Sequence, residues 1–170
     1  GRGSVDHFHL PPSPRLLYMG TLGKAAGVAG AFVAGEATVI DWLTQRARSY
    51  IFTTAGSPMV ACALAASLQL IADGEQRRQR LWQLTGQLRD GLAGSGWRLL
   101  PSPTAIQPVI VGGSHRTLQL AEALYQRGLW VPAIRPPTVP VGTARLRISL
   151  SAAHQPAQVA RLVDALRELA

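Results

Sequence analysis

Of the seventeen basic residues in this 170-residue chain, sixteen are arginine and one, Lys24, is lysine. Only the lysine can do imine chemistry: a desolvated ammonium can lose its proton and attack an aldehyde, whereas a guanidinium stays protonated. The residues around it are small. The run Gly20-Thr21-Leu22-Gly23-Lys24-Ala25-Ala26-Gly27-Val28-Ala29-Gly30 holds four glycines and no large side chain after Leu22. That leaves room for a flat ring close to the backbone, and Thr21 can offer a hydroxyl and a backbone N–H to an anionic group. A phosphate-bearing aldehyde held on a lysine needs those features. Taken locally, the same residues also suit a solvent-exposed lysine in a glycine-rich turn.

Arg147 is the second candidate. It lies in Ala144 to Leu150, an alternating run that predicts a strand, so its side chain leaves the face opposite Leu146 and Ile148. An inward guanidinium is costly unless it meets an anion, and the carboxylate of an amino acid would be held bidentately. The other reading is a surface arginine paired with a nearby acid. Arg145 points the same way, nearer the strand end, and carries no assignment. His7 and His9 sit in a loop without further ligands, so no metal site is expected. His154 is expected to help cap the final helix, and Cys62 to be a small buried residue.

The elements that must position these groups follow from periodicity and punctuation. Residues 1–14, rich in Gly and Pro, read as loop. Short strands are expected over Arg15 to Met19, Ala31 to Ala34 and Tyr50 to Thr54, with a helix over 36–49. Ser57-Pro58 is a helix start, a capping hydroxyl followed by proline at the first helical position. That helix runs to about Ala72; a second shows Leu81, Leu84, Leu88 and Leu92 on one stripe and stops at Gly94-Ser95-Gly96. Beyond it come a strand over Ala105 to Val111, with Pro108 marking an edge or an irregularity, and a helix from Thr117 to Arg127. Strands follow over Leu129 to Ile134 and Ala144 to Leu150, and a last helix starts near Pro156. Residues 97–170 thus read strand, strand, helix, strand, strand, helix, a small α+β domain.

Composition narrows the classes. Hydrophobic residues make up 47% and charged residues 15%, which suits a chain folded around a core. The net charge of +8 raises a nucleic-acid partner. The arginines are dispersed, however; the nearest to a cluster is Arg77, Arg78 and Arg80, with no interleaved aromatic platform. A solvated helix face accounts for them, and no nucleic-acid partner is expected. The apolar run from Met59 to Ala72 falls short of the roughly 18 residues of a membrane span and is interrupted by Ser67 and Gln69. Gly-Arg-Gly-Ser at the start shows no export signal. A single cysteine excludes an internal disulfide and fits a reducing, cytoplasmic setting.

Thr21-Leu22-Gly23-Lys24, followed by Gly27 and Gly30-Ala31, resembles the lysine loop of the α-oxoamine synthases, members of the fold-type-I pyridoxal-phosphate (PLP) enzymes. The resemblance covers nearly the whole chain. It implies an α/β, aspartate aminotransferase-like fold: the end of a large domain in 1–57, a helical connector in 58–96, and a small C-terminal α+β domain in 97–170. It implies that Lys24 holds the cofactor and then acts as base at the substrate α-carbon, and that Thr21 hydrogen-bonds the cofactor phosphate. Thr53 and Thr54 match hydroxyls that reach the phosphate of the neighbouring subunit, so a homodimer is implied. Arg147 would clamp the substrate carboxylate, and Thr138 matches a substrate-contacting threonine. The run Ile134-Arg135-Pro136-Pro137-Thr138-Val139-Pro140, with Gly142 to Arg147 and the Ala-Ile-Gln-Pro-Val-Ile-Val core within Ser102 to Gly112, is similar to the branch that condenses L-alanine with a pimeloyl thioester in biotin synthesis. A sister synthase such as glycine C-acetyltransferase and a non-enzymatic basic binding module are the alternatives. The family's N-terminal half, which supplies the carboxylate at the pyridine nitrogen and the histidine stacked on the ring, has no counterpart in this sequence. The chain by itself is therefore expected to be inactive.

Overall fold

The computed structural model describes residues 3–170. The chain divides into two compact units, Gly1–Glu75 and Gln76–Ala170.

The first unit opens with a four-residue helix, α1 (Ser4–His7), where loop is expected from the glycines and prolines. Strands β1 (Tyr18–Thr21) and β2 (Ala31–Ala34) form an antiparallel hairpin in which Tyr18 faces Ala34 and Thr21 faces Ala31. Gly20 leaves room for the Phe32 side chain there. A Cβ would fall 2.6 Å from the Phe32 ring, which lies across the strand and against Tyr18 at 5.6 Å between ring centroids. Helix α2 (Ala37–Arg46) starts where the Glu36 carboxylate accepts a hydrogen bond from the Thr38 N–H. The helix expected over 36–49 breaks at Ala47, which is extended, and resumes as α3 (Arg48–Ile51).

The strand expected over Tyr50 to Thr54 is therefore absent. The N–H groups of Tyr50 and Ile51 go to the Ala47 carbonyl and that of Phe52 to Arg48. Local helical hydrogen bonds satisfy the backbone where no neighbouring strand pairs with it, and the β-propensity of Tyr-Ile-Phe-Thr-Thr loses to them. Helix α4 (Pro58–Ala72) has Ser57 as its cap and Pro58 in its first turn, as the sequence indicates. Cys62 is exposed on it, contrary to expectation. Helix α4 is apolar but for a few residues such as Ser67 and Gln69; of the stripe through Leu64, Leu68 and Ile71 expected from its spacing, Leu64 and Ile71 are half-buried and Leu68 is exposed.

The second unit has a proper core. Its sheet runs β3 (Arg98–Leu99), β4 (Ile106–Gly112), β6 (Ala144–Ser149), β5 (Ala133–Ile134), antiparallel throughout. Helices α5 (Glu75–Leu92), α6 (Ser114–Tyr125) and α7 (Pro156–Glu168) bury their stripes in one cluster with the sheet. Leu84, Leu88 and Leu92 of α5, Leu120 and Leu124 of α6, and Leu162, Val163 and Leu166 of α7 meet Val109, Leu146 and Ile148. The expected element order of 97–170 is the one observed, although β5 is shorter than Leu129 to Ile134. Pro132 has no N–H for the ladder and Arg135-Pro136 ends the strand. His154 does not cap α7: its Nδ1 accepts from the Ser151 N–H, while Gln155 and Gln158 form the capping box.

Pro108 is not on an edge, because β4 lies between β3 and β6. Its carbonyl accepts from the Leu100 N–H at 3.0 Å, but the reciprocal donor is missing. Arg89 of α5 takes its place. One guanidinium nitrogen, Nη1, lies 3.3 Å from the Leu100 carbonyl and 2.6 Å from Gln107 Oε1. Gln107, fully buried, in turn donates to the Ser102 and Thr104 carbonyls. The irregularity in the ladder falls instead between Ile110 and Gly112. No helix among the described residues is long and apolar enough to cross a membrane.

Candidate functional site

Lys24 lies in the loop that joins β1 to β2. Three backbone hydrogen bonds shape that loop: Leu22 N–H to the Gly30 carbonyl at 2.8 Å, Val28 N–H to Leu22 at 2.9 Å, and Gly27 N–H to Lys24 at 3.0 Å. The last closes a tight turn on Lys24 itself. Gly27 and Gly30 have φ of +64° and +109°, conformations that side chains with a Cβ rarely adopt, which is why the glycines stand there. Inside the turn Ala26 is buried, the one buried apolar side chain among the described residues of this unit. Its carbonyl accepts from Ser67 Oγ of α4 at 2.6 Å. The lysine loop is thus tethered to a helix by a residue not assigned from the sequence. The available signal was a serine interrupting an otherwise apolar helical run.

The Lys24 side chain is exposed and has no hydrogen-bond or ion-pair partner among the described residues. Thr21, exposed at the end of β1, shares the hairpin with it. Thr53 and Thr54 stand on a separate segment of the same unit, just past α3. The Thr53 hydroxyl donates to the Ser49 carbonyl at 2.6 Å, which still leaves its oxygen lone pairs open. Thr138 and Arg147 belong to the second unit. Thr138 is exposed in a turn closed by its N–H on the Arg135 carbonyl. Arg147 is on β6 as expected, exposed, between the fully buried Leu146 and the buried Ile148. Its backbone N–H goes to Pro132, and Pro108 lies opposite it on β4. Among the described residues its guanidinium meets no carboxylate.

This donor set fits a phosphate-bearing aldehyde. A free primary amine stands in a turn made of glycine and alanine, and a threonine hydroxyl lies three residues before it. No group of three or more metal-ligating side chains occurs among the described residues. A cavity of about 490 Å³ opens in the second unit beside Trp130, Val131, Ile148, His154 and Leu162, and contains none of the candidate residues.

The chain is 66% identical over 170 residues to the 8-amino-7-oxononanoate synthase of Dechloromonas aromatica, matching 100% of this chain and 44% of that protein. It spans less than half the length of the curated relatives it matches. Among solved structures, the 8-amino-7-oxononanoate synthase of Francisella tularensis superposes with a TM-score of 0.87 at 26% identity, over 99% of this chain and 49% of that one. A structure of SPT with PLP as internal aldimine superposes with a TM-score of 0.83 at 30% identity, over 90% of this chain and 39% of that one. The α/β, fold-type-I class expected from the lysine loop is the class of these structures. The model of aminotransferase class I and II matches residues 2–166, and the chain belongs to that family.

Proposed function

We propose that the full-length protein carrying this chain is a PLP-dependent 8-amino-7-oxononanoate synthase, which joins L-alanine to a pimeloyl thioester in biotin synthesis. The observation that carries this is 66% identity to a synthase of that name along the entire chain. The acyl donor is pimeloyl-CoA or a pimeloyl-carrier protein. The run from Ile134 to Pro140 supports this member over a sister enzyme that uses glycine, since the sister enzymes are similar around Arg147 and generally lack that run.

When bound, PLP supplies the electron sink that lets an amino-acid α-carbon part with a proton or a carboxylate. The chain's own residues do the rest. Lys24 would hold the cofactor through its amine and, as a free amine, would take the α-proton of alanine. Its turn, closed by Gly27 and tethered by Ser67, fixes the backbone from which the amine would reach in both roles. Thr21 donates to the cofactor phosphate, and Thr53 and Thr54 donate to that of a second copy in a homodimer. Arg147, on a strand backed by a packed core, clamps the alanine carboxylate and sets the bond that breaks as carbon dioxide leaves. Thr138 contacts the substrate from its proline-stiffened turn. The new carbon–carbon bond forms between the alanine α-carbon and the acyl carbonyl carbon, and the thiol carrier departs.

In domain terms, residues 1–57 close the large domain, 58–96 connect, and 97–170 form the small domain. The boundary between the compact units falls inside that connector, between α4 and most of α5. A cytoplasmic site of action is part of the same reading, as is inactivity of these 170 residues alone. The test is direct: full-length protein, PLP, alanine and pimeloyl-CoA should release carbon dioxide and 8-amino-7-oxononanoate. Turnover with glycine and not alanine would replace this reading with that of a sister synthase.

A further inference from the structure

Arg145 carries no role in the reading above, yet it is the most constrained cation of the second unit's sheet. It projects from the same face of β6 as Arg147, two residues away, so the two side chains root about 7 Å apart. Cross-strand register places Ile110 on one side of it and Ile134 on the other. It is partly buried between them. Its Nε donates to the Thr143 carbonyl at 3.0 Å and its Nη2 to Thr143 Oγ1 at 3.0 Å. Thr143 is itself held, its hydroxyl donating to the Pro140 carbonyl at 2.7 Å. Two of the five guanidinium N–H groups are thereby used, and three remain for a ligand.

Neither Arg145 nor Arg147 has an ion-pair partner among the described residues. Two cations on one face, Arg145 partly buried and Arg147 exposed, repel each other, an arrangement that an anionic ligand relieves. One anion is the alanine carboxylate at Arg147. The chemistry requires a second. 8-Amino-7-oxononanoate, the product in the name of the 66%-identical relative, keeps a carboxylate at the far end of its chain, seven bonds from the carbon that bears the amine. That carboxylate comes from the acyl donor, and extended it lies roughly 9 Å from the α-carbon. Two arginines rooted about 7 Å apart, with room to splay, span such a pair of carboxylates.

We infer that Arg145 binds the terminal carboxylate of the acyl donor and so selects a free dicarboxylic half-thioester over its ester. This rests on the synthase reading. The test compares pimeloyl-CoA with its terminal methyl ester on the PLP-loaded full-length enzyme, as a ratio of kcat/KM values. Wild type should favour the free acid, and R145Q should lower that ratio by about 30-fold or more, through the KM of the free-acid donor. T143V, which removes one anchor of the guanidinium, should lower it about 5-fold and carries the test if R145Q does not fold. An unshifted ratio overturns the inference while leaving the synthase reading intact. An equal loss with both donors also overturns it, by assigning Arg145 to the CoA phosphates. A wild-type enzyme that makes no product from alanine and either donor ends the synthase reading, and the subsite with it.

Discussion

At the scale of single residues, the chain separates a group that reacts from groups that hold. Lys24 is the one primary amine on a side chain of the sequence. Borohydride reduction of the PLP-loaded full-length protein, followed by peptide mapping, should mark Lys24, and K24A should abolish both the label and turnover. Labelling elsewhere, with Lys24 unmodified, would overturn that assignment. Arg147 is predicted to act on binding. R147A removes a charge-assisted, bidentate contact worth about 2–5 kcal/mol, so the KM for alanine should rise roughly 30-fold or more. The Lys24 label should persist in that variant. R147K should recover little, because an ammonium cannot reproduce the planar fork. Unchanged alanine dependence in R147A would show that Arg147 serves structure only.

At the scale of elements, two small hydrogen-bond arrangements hold the candidate site's supports in place. Ser67 joins α4 to the lysine turn through the Ala26 carbonyl. S67A should loosen that turn, with cofactor affinity falling about 5-fold for a bond worth about 1 kcal/mol. Dialysis against graded PLP measures this, and affinity equal to wild type would show that the hairpin's own bonds suffice. In the second unit Arg89 supplies the donor that Pro108 lacks, satisfying the Leu100 carbonyl and Gln107 together. R89M should lower the thermal midpoint of the full-length protein, for a cost of about 1–3 kcal/mol. P108A restores a backbone N–H opposite Leu100 and should return part of that loss in the double variant. Strict additivity of the two substitutions would count against the coupling.

At the scale of the whole chain, apolar surface is distributed unevenly. Phe32, Trp42, Phe52, Met59, Leu68 and Leu70 of the first unit are all exposed, while the second unit buries leucines from three helices against its sheet. Expressed alone, the 170 residues should therefore bind hydrophobic dyes and self-associate through the first unit. The full-length protein should do neither to the same degree. Equal dye binding by the two would mean that the rest of the protein leaves this surface uncovered.

Much of this was legible in the sequence for a physical reason: periods of 3.6 and 2 report which face an element buries, and caps report where it starts. The stripe through Leu84, Leu88 and Leu92, the Ser57-Pro58 start of α4, and the alternation that sets Arg147 against Leu146 and Ile148 all came from local pattern. So did the small-residue loop around Lys24, because glycine there answers a backbone demand. Where partners distant in the chain compete for the same groups, local pattern was silent or misleading. Tyr50 and Ile51 became helix, with Phe52 as its cap, because no strand was there to pair with them, and Cys62, in a helix that is apolar almost throughout, stayed exposed. Pro108 could sit inside the sheet only because Arg89, nineteen residues earlier, reaches the carbonyl it leaves unpaired. The tether from Ser67 to Ala26 likewise spans forty-one residues. Spacing along the chain encodes hydrogen-bond geometry within a turn or a helix, and only the folded chain decides which remote donor meets which acceptor.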